Sequence, residues 1–321
     1  MAHERAPLRL VPDTAAEPVP SAAVPLLGAV ELVPGRIGAA VLSRSGEILA
    51  RAEATFDAAA GTRDEIDAAL ARAAGVFAGA RPLGVGVAAP GLVDPEAGLV
   101  VEVNDAPALS GYPVARRLGE LVDAPARVEH RARLQVLGDR WFGPGRGRRT
   151  FASVSTGEVL GVGLLFDGEV VAPPGGRSGA HMTVSAHGER CGCGARGCWK
   201  TVATTRWLRG AAEQAGLGTG ATLAALVAAA PAREAARRVV EEYAGNLALG
   251  LVNVQHLFAP GLFVLHGEAR EGGETFRELV EQGLRAGLAA PQAEQPRVSV
   301  GSGAVDDVAL LGGAGLVLSA Q

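Results

Sequence analysis

Every cysteine of this chain falls within eight residues, Cys191-Gly192-Cys193-Gly194-Ala195-Arg196-Gly197-Cys198, a short distance after His181. Thiols used only as small apolar core groups would be scattered, whereas three of them interleaved with glycine read as a metal site. Three thiolates and one imidazole form the closed Cys₃His set that tetrahedral structural zinc favours, and glycine lets the backbone turn tightly around an ion. The ligand set read from this spacing is His181, Cys191, Cys193 and Cys198, with structural zinc as the cofactor. His187 is the other imidazole at hand, but it sits in a turn-like insert and is read as solvent-facing. The competing description is three free cysteines in a glycine-rich surface loop.

A chain of 321 residues, 48% hydrophobic and 20% charged, can bury one large core or two joined ones, and two lobes are expected. A net charge of −4 gives no reason to expect nucleic-acid binding, since such modules usually carry a basic face, and no direct DNA binding is expected of this chain. The zinc-pattern cysteines, the lack of an amino-terminal apolar signal and the lack of any run of eighteen apolar residues point to a reducing cytoplasm and to no membrane partner. Residues 1–24, with Pro7, Pro12, Pro18 and Pro20, hold no periodic element and are expected to be disordered.

Leu26 to Leu32 and Arg36 to Leu42 read as apolar strands, followed by a turn at Ser43-Arg44-Ser45-Gly46 and a third strand from Glu47 to Thr55. Thr62-Arg63-Asp64-Glu65 reads as a capping box opening an amphipathic helix to about Phe77. Leu83 to Gly91 reads as a buried strand ending in a Pro-Gly turn, and Ala126 to Glu129 as a strand leading into a helix from Ala132 to Trp141. Further on come strands at Phe151 to Ser155, Leu160 to Phe166 and Gly261 to Leu265. Helices are expected at Thr201 to Gly210, Ala221 to Ala230, Arg233 to Leu257, Glu274 to Ala286 and Ala304 to Val317.

The cysteine loop resembles that of the ROK family of sugar kinases and sugar-responsive repressors. Their pattern is Gly-His followed by Cys-x-Cys-Gly-x-x-Gly-Cys-x-Glu, which stands here as Ala180-His181 and Cys191-x-Cys193-Gly194-x-x-Gly197-Cys198-x-Lys200. The alternation of strands and helices in two halves fits the fold this resemblance implies, an α/β, two-lobed, duplicated ribonuclease-H-like fold with a zinc loop. The implied division is an N-terminal lobe over 25–127, joined by a returning C-terminal helix at 304–318, and a C-terminal lobe over 128–303 carrying the zinc loop 181–198. In ROK repressors a winged helix-turn-helix precedes the sugar-binding part. Pro7-Leu8-Arg9-Leu10-Val11-Pro12 resembles the joint after it, suggesting a regulator-type chain lacking that head or one whose start is assigned too late.

Sugar phosphorylation needs a proton acceptor, a backbone cradle for phosphates and polar groups that orient the sugar. The Asn-Asp of ROK kinases is matched by His130-Arg131, and a guanidinium has no acceptor and stays charged, so Arg131 cannot serve as base. Alternation along the strand is expected to turn Glu129 away from the cleft. The Asp-x-Gly-Gly-Thr-type loop is replaced by Glu31-Leu32-Val33-Pro34-Gly35-Arg36, and Gly-Thr-Gly-Ile-Gly by Gly157-Glu158-Val159-Leu160-Gly161, where bulk and a carboxylate oppose phosphate. The family's Gly-Gly near the purine is His266-Gly267, read as a mild departure. Of the family's sugar contacts, Ala108, His130, Arg131, Ser178 and Lys200 are changed and His181 remains.

No catalytic residue and no bound ATP are expected. The ligand-binding candidates are His130, Arg131, His181 and Lys200, the two cations favouring a small anionic or sugar-derived effector. Asn104-Asp105 and the cluster Arg140, Arg146, Arg148 and Arg149 read as turn and solvated loop, Trp141-Phe142 as a core anchor, and Trp199 as a contact for a partner subunit or a neighbouring helix. The resemblance implies a homo-dimer or tetramer. The leading expectation is therefore the effector-binding part of a transcriptional regulator without kinase activity. The alternative is a divergent ATP-dependent sugar kinase using His130 or Glu31.

Overall fold

The computed structural model describes residues 25–172, 179–288, 295–301 and 307–321, so the expectations for residues 1–24, for Ser178 and for the start of the last helix lie outside the described residues. Two mixed sheets dominate, and they share one plan. In the first, β1 (Leu27–Val33), β2 (Arg36–Leu42) and β3 (Ile48–Thr55) form an antiparallel meander, while β4 (Val85–Ala89) and β7 (Ala126–His130) run parallel to β1, giving the order β3-β2-β1-β4-β7. β5 (Leu92–Asp94) and β6 (Leu99–Glu102) make a small separate hairpin. In the second, β8 (Phe151–Thr156), β9 (Gly161–Phe166) and β10 (Glu169–Val170) are antiparallel, while β11 (Leu262–Gly267) and β12 (Arg297–Val300) lie parallel to β8 in the order β10-β9-β8-β11-β12. This repeat is the duplicated α/β plan that the alternation of elements implied.

β1 and β4 are buried almost throughout, as strands covered on both faces must be. The first sheet is covered on one side by α1 (Arg63–Ala74) and α2 (Val114–Val122), through Ile66, Leu70, Val114 and Leu118. Thr62 caps α1 by accepting from the Glu65 amide, but Glu65 reaches back to the Asp57 amide at 3.0 Å rather than to Thr62, so the predicted capping box is only half formed. The second sheet is covered by α4 (Thr205–Gln214), α5 (Leu223–Ala229), the long α6 (Glu234–Phe258), a single turn α7 (Glu268–Glu271) and α8 (Gly273–Ala286). The helix expected from Thr201 starts at Thr205, because residues 199–201 form a tight turn of their own that closes the cysteine loop.

Between the sheets lie α3 (Arg131–Phe142) and α9 (Val308–Ser319), and their crossing depends on absent side chains. A Cβ on Gly312 would stand 2.6 Å from the Leu134 carbonyl of α3, and one on Gly86 of β4 would stand 2.0 Å from the Gly313 carbonyl. α9 can therefore lie on β1, β4 and α3 at once, with Leu310, Ala314 and Val317 packed on Ala29, Ala40 and Leu42. Trp141, read as a core anchor, is instead 36% exposed, and its Nε1 donates to Ser319 Oγ at 3.0 Å, pinning the end of α9 to α3.

Gly86→Ala is expected to destabilise the protein by about 1–3 kcal/mol, since the added methyl group has no space beneath α9. Urea unfolding at neutral pH measures it, and an unchanged midpoint would mean that α9 does not hold this close crossing in solution.

Candidate functional site

The parallel strands β1, β4 and β7 end side by side, with Glu31 in register with Ala88 and Ala88 with Glu129. At this edge Glu31 is only 3% exposed. A buried carboxylate needs paired charge, and two guanidiniums supply it. Arg131, the first residue of α3, places Nε 2.9 Å from Glu31 Oε1, and Arg36, just past the Pro34-Gly35 turn, places Nη2 3.4 Å from Oε2 and Nη1 2.9 Å from Glu53. Arg131, read as a cation available to a ligand, is 42% exposed and neutralised on one side by Glu31, whose own carboxylate is shared between Arg131 and Arg36.

His130 ends β7 and caps α3, its Nδ1 accepting from the Ala132 amide at 3.2 Å. Burial, with Arg133 and Arg131 adding to it, pulls the imidazole down to about 4. At neutral pH the ring is therefore uncharged, and with Nδ1 occupied as acceptor its proton resides on Nε2, so it is a donor and not a base. Glu129 is buried, accepting from the His130 amide at 2.5 Å and from Arg133 Nη1 at 3.3 Å, and burial raises its pKa.

The loop after β8 has a carboxylate on it, as read, but Glu158 is turned into an ion pair with Arg209 at 2.5 Å, and Val159 is 67% exposed. His266 is a larger departure than its reading implied. Its ring is buried, with Nε2 2.7 Å from Asp139 Oδ2, which also accepts from Ser153 Oγ at 2.5 Å. A bulky imidazole thus fills the end of β11, where a Gly-Gly sequence would leave space. Asn104 and Asp105 are exposed in a turn. The arginine loop folds onto the β9–β10 turn, with Arg140 donating to the Gly168 carbonyl and Arg149 paired with Asp167.

The ligand atoms of His181, Cys191, Cys193 and Cys198 all lie within 4.8 Å of one another. His181 Nδ1 is 3.6 Å from Cys191 Sγ, and Cys193 Sγ is 3.6 Å from Cys198 Sγ. Two sulfurs on a tetrahedral zinc with bonds of about 2.3 Å would be about 3.8 Å apart, so the donors present fit a metal ion such as zinc. The loop is also built tightly: Gly197 has φ +63°, and a Cβ there would strike the Ser185 carbonyl at 1.7 Å. Burial, with the neighbouring thiols adding to it, pushes the Cys198 thiol up to about 12, so closing this site on a metal means displacing that proton. His187 is exposed and outside the group. Trp199, left open between two contacts, lies within the chain: fully buried on α6 at Gly250, with Nε1 donating to the Asn246 carbonyl at 2.9 Å.

Lys200 is half-buried beside the metal loop, its amide donating to the Ala180 carbonyl at 3.0 Å, and no carboxylate among the described residues pairs with it. Among the described residues no hydrogen bond or ion pair joins His130 or Arg131 to His181 or Lys200. The partnership of Glu31 with Arg131 was missed at the sequence level. Its signal was a new arginine and a retained acid at two positions of one cleft.

The ROK family model matches residues 28–320. Glucokinase of Thermotoga maritima is 26% identical over 253 residues, covering 73% of this chain and 78% of that protein. The xylose repressor of Caldicellulosiruptor bescii is 24% identical over 217 residues, covering 62% of this chain and 54% of the repressor. A crystal structure of a ROK family transcriptional regulator, a homolog of the E. coli MLC protein, superposes with a TM-score of 0.80 over 91% of this chain and 77% of that one, at 20% identity.

Chelation with a strong zinc chelator is expected to lower Tm by roughly 5 °C or more, because closing the loop around an ion is coupled to folding. A metal-free preparation with unchanged Tm would contradict this. His130 gives a pH signature. Its folded pKa lies below the unfolded value of 6.5, so between about pH 6.5 and 4 the unfolded chain binds the extra proton and stability falls as pH falls. His130→Asn, which keeps a capping acceptor, is expected to lose less stability than wild type between pH 7 and 4.5 in urea titrations. Parallel losses would show that His130 titrates normally.

Proposed function

The chain belongs to the ROK family, and from that membership we propose that it is a non-catalytic member, the effector-binding part of a transcriptional regulator that does not itself contact DNA. The observation that carries this reading is the Arg131–Glu31 ion pair, which ties the residue at the proton-acceptor position to the acid of the first phosphate loop. Deprotonating a sugar hydroxyl needs a free lone pair. Arg131 has none, His130 spends its own on the Ala132 amide, and Glu129 is held by Arg133. The zinc held by His181, Cys191, Cys193 and Cys198 is structural in this reading, keeping Lys200 and Trp199 in place.

The proposed effector is a small organic acid or an anionic sugar derivative, met by His130, Arg131, His181 and Lys200. Lys200 carries a cationic charge that no acid among the described residues offsets, and Arg131 keeps its terminal nitrogens for a ligand while Nε stays on Glu31. A cytoplasmic homo-dimer or tetramer belongs to the same reading. A divergent ATP-dependent kinase for a hexose or amino sugar is the second reading, favoured by the likeness to a glucokinase over most of both chains.

ADP release by the wild-type protein over a panel of hexoses and amino sugars separates the two. No sugar-dependent turnover above background is expected, and turnover abolished by His130→Ala would overturn the non-catalytic reading. In thermal-shift titrations, sugar phosphates or organic acids are expected to raise Tm where neutral sugars do not. Silence from every anion would remove the effector assignment.

A further inference from the structure

The three thiols of the metal loop differ in how they are held. Cys191 and Cys198 are buried, whereas Cys193 is exposed. Cys198 is fixed by its neighbours in the chain: a Cβ on Gly197 would stand 1.7 Å from the Ser185 carbonyl, Trp199 is fully buried, and Thr201 Oγ1 donates to the Cys198 carbonyl at 2.7 Å. Cys191 is held by its amide, which donates to the Ala195 carbonyl at 2.8 Å. Cys193 lies instead between Gly192 and Gly194, and a Cβ added at either would meet no atom of the described residues within 4 Å. One sulfur of the metal group therefore stands at the surface, on a segment with space on both flanks.

That sulfur is also close to a partner. Cys193 Sγ is 3.6 Å from Cys198 Sγ. A disulfide needs about 2.05 Å, and the remaining shift of about 1.5 Å falls to the freer residue, Cys193. A thiol that holds a metal ion is deprotonated, and the thiolate is the form that attacks an oxidant. An accessible thiolate poised beside a second thiol is the arrangement of a redox-sensitive pair.

We infer that Cys193 is an oxidation site for hydroperoxides, with Cys198 as the resolving thiol, and that joining the two sulfurs releases the metal ion. The Cys193 thiolate attacks one oxygen of the hydroperoxide: an S–O bond forms, the O–O bond breaks, and the second oxygen leaves as hydroxide, or as alkoxide from an alkyl hydroperoxide. The Cys198 thiolate then attacks the sulfur of that sulfenic acid, forming the S–S bond and displacing hydroxide. Two thiolates give up two electrons, the peroxide takes them, and solvent protons convert the displaced anions to water or alcohol. His181 and Cys191 alone are left, fewer than the three or four protein ligands on which zinc sites are built. Thiol exchange reverses the S–S bond, and in a reducing compartment such a bond is transient. Trp199, seated on α6 at Gly250, meanwhile keeps the end of the loop in the fold. The inference rests on the metal assignment and not on the effector reading of the cleft.

The test is oxidation of the zinc-loaded full chain with hydrogen peroxide in modest molar excess, followed by a chromogenic zinc indicator, a free-thiol assay and a disulfide map. Zinc release is expected to track the loss of two of the three thiols, and dithiothreitol with added zinc is expected to restore both. Trypsin cuts after Arg190, Arg196 and Lys200, so Cys191 and Cys193 share one peptide and Cys198 lies on the next. The map is expected to join these two peptides through Cys193, with the alkylating label on Cys191. Cys193→His, which keeps a metal ligand but removes the attacking thiol, is expected to hold its zinc under the same treatment. Zinc retained by the oxidised wild type, a link through Cys191, or equally fast release from a folded Cys193→His protein would each overturn the inference. A chain that takes up no zinc at all would overturn it together with the metal assignment.

Discussion

A carboxylate almost sealed from water at the end of a parallel strand must find positive charge within a few ångströms, and for Glu31 that need organises the cleft. Arg131 comes from the β7–α3 junction and Arg36 from across the first hairpin, so one side chain ties together three elements of the first sheet's edge. Removing one member of such a group costs more than the pair contributes, because a buried charge is left behind. The same contact decides chemistry: a guanidinium committed to a neighbouring acid offers donors and charge, and no lone pair.

The surrounding scaffold makes this edge stiff. His130 closes the first turn of α3 with its ring nitrogen, and Glu129 is held between the His130 amide and Arg133. α3 is pressed from the other side by α9 through glycine-to-backbone contacts, where any Cβ would collide. Such contacts leave little room for graded adjustment, since interiors are packed near crystal density. The cavity beside Asp139 is the exception, lying where the two helices part around Phe142 and Leu311.

The cysteine loop is tied to the second half of the molecule by Trp199, whose ring lies on α6 in the space left by Gly250. The three cysteines, the tryptophan and Lys200 follow one another within ten residues, so whatever fixes this part of the loop also fixes the backbone at the lysine.

Much of this was readable before folding. The apolar runs that became β1, β2, β4, β8 and β11 lie in plain sequence, because strands buried on both faces are nearly continuous in Val, Leu and Ala. The four metal ligands stand out by residue type and spacing, since few roles need three thiols in eight positions. Helix α2, strand β12 and the small β5–β6 hairpin were not foreseen, being short pieces stabilised by what they pack on and not by local pattern. The sequence by itself determined which chemical groups are available: an arginine where an acceptor would be needed, thiols grouped for a metal, glycines in the last helix. Only the tertiary structure decided their partners, pairing Arg131 with Glu31 across a hundred residues, burying Asp139 against His266 and laying Trp199 on α6. The reason is that charge neutralisation and close packing depend on distances between segments, and these exist only once both sheets have brought their strand ends together.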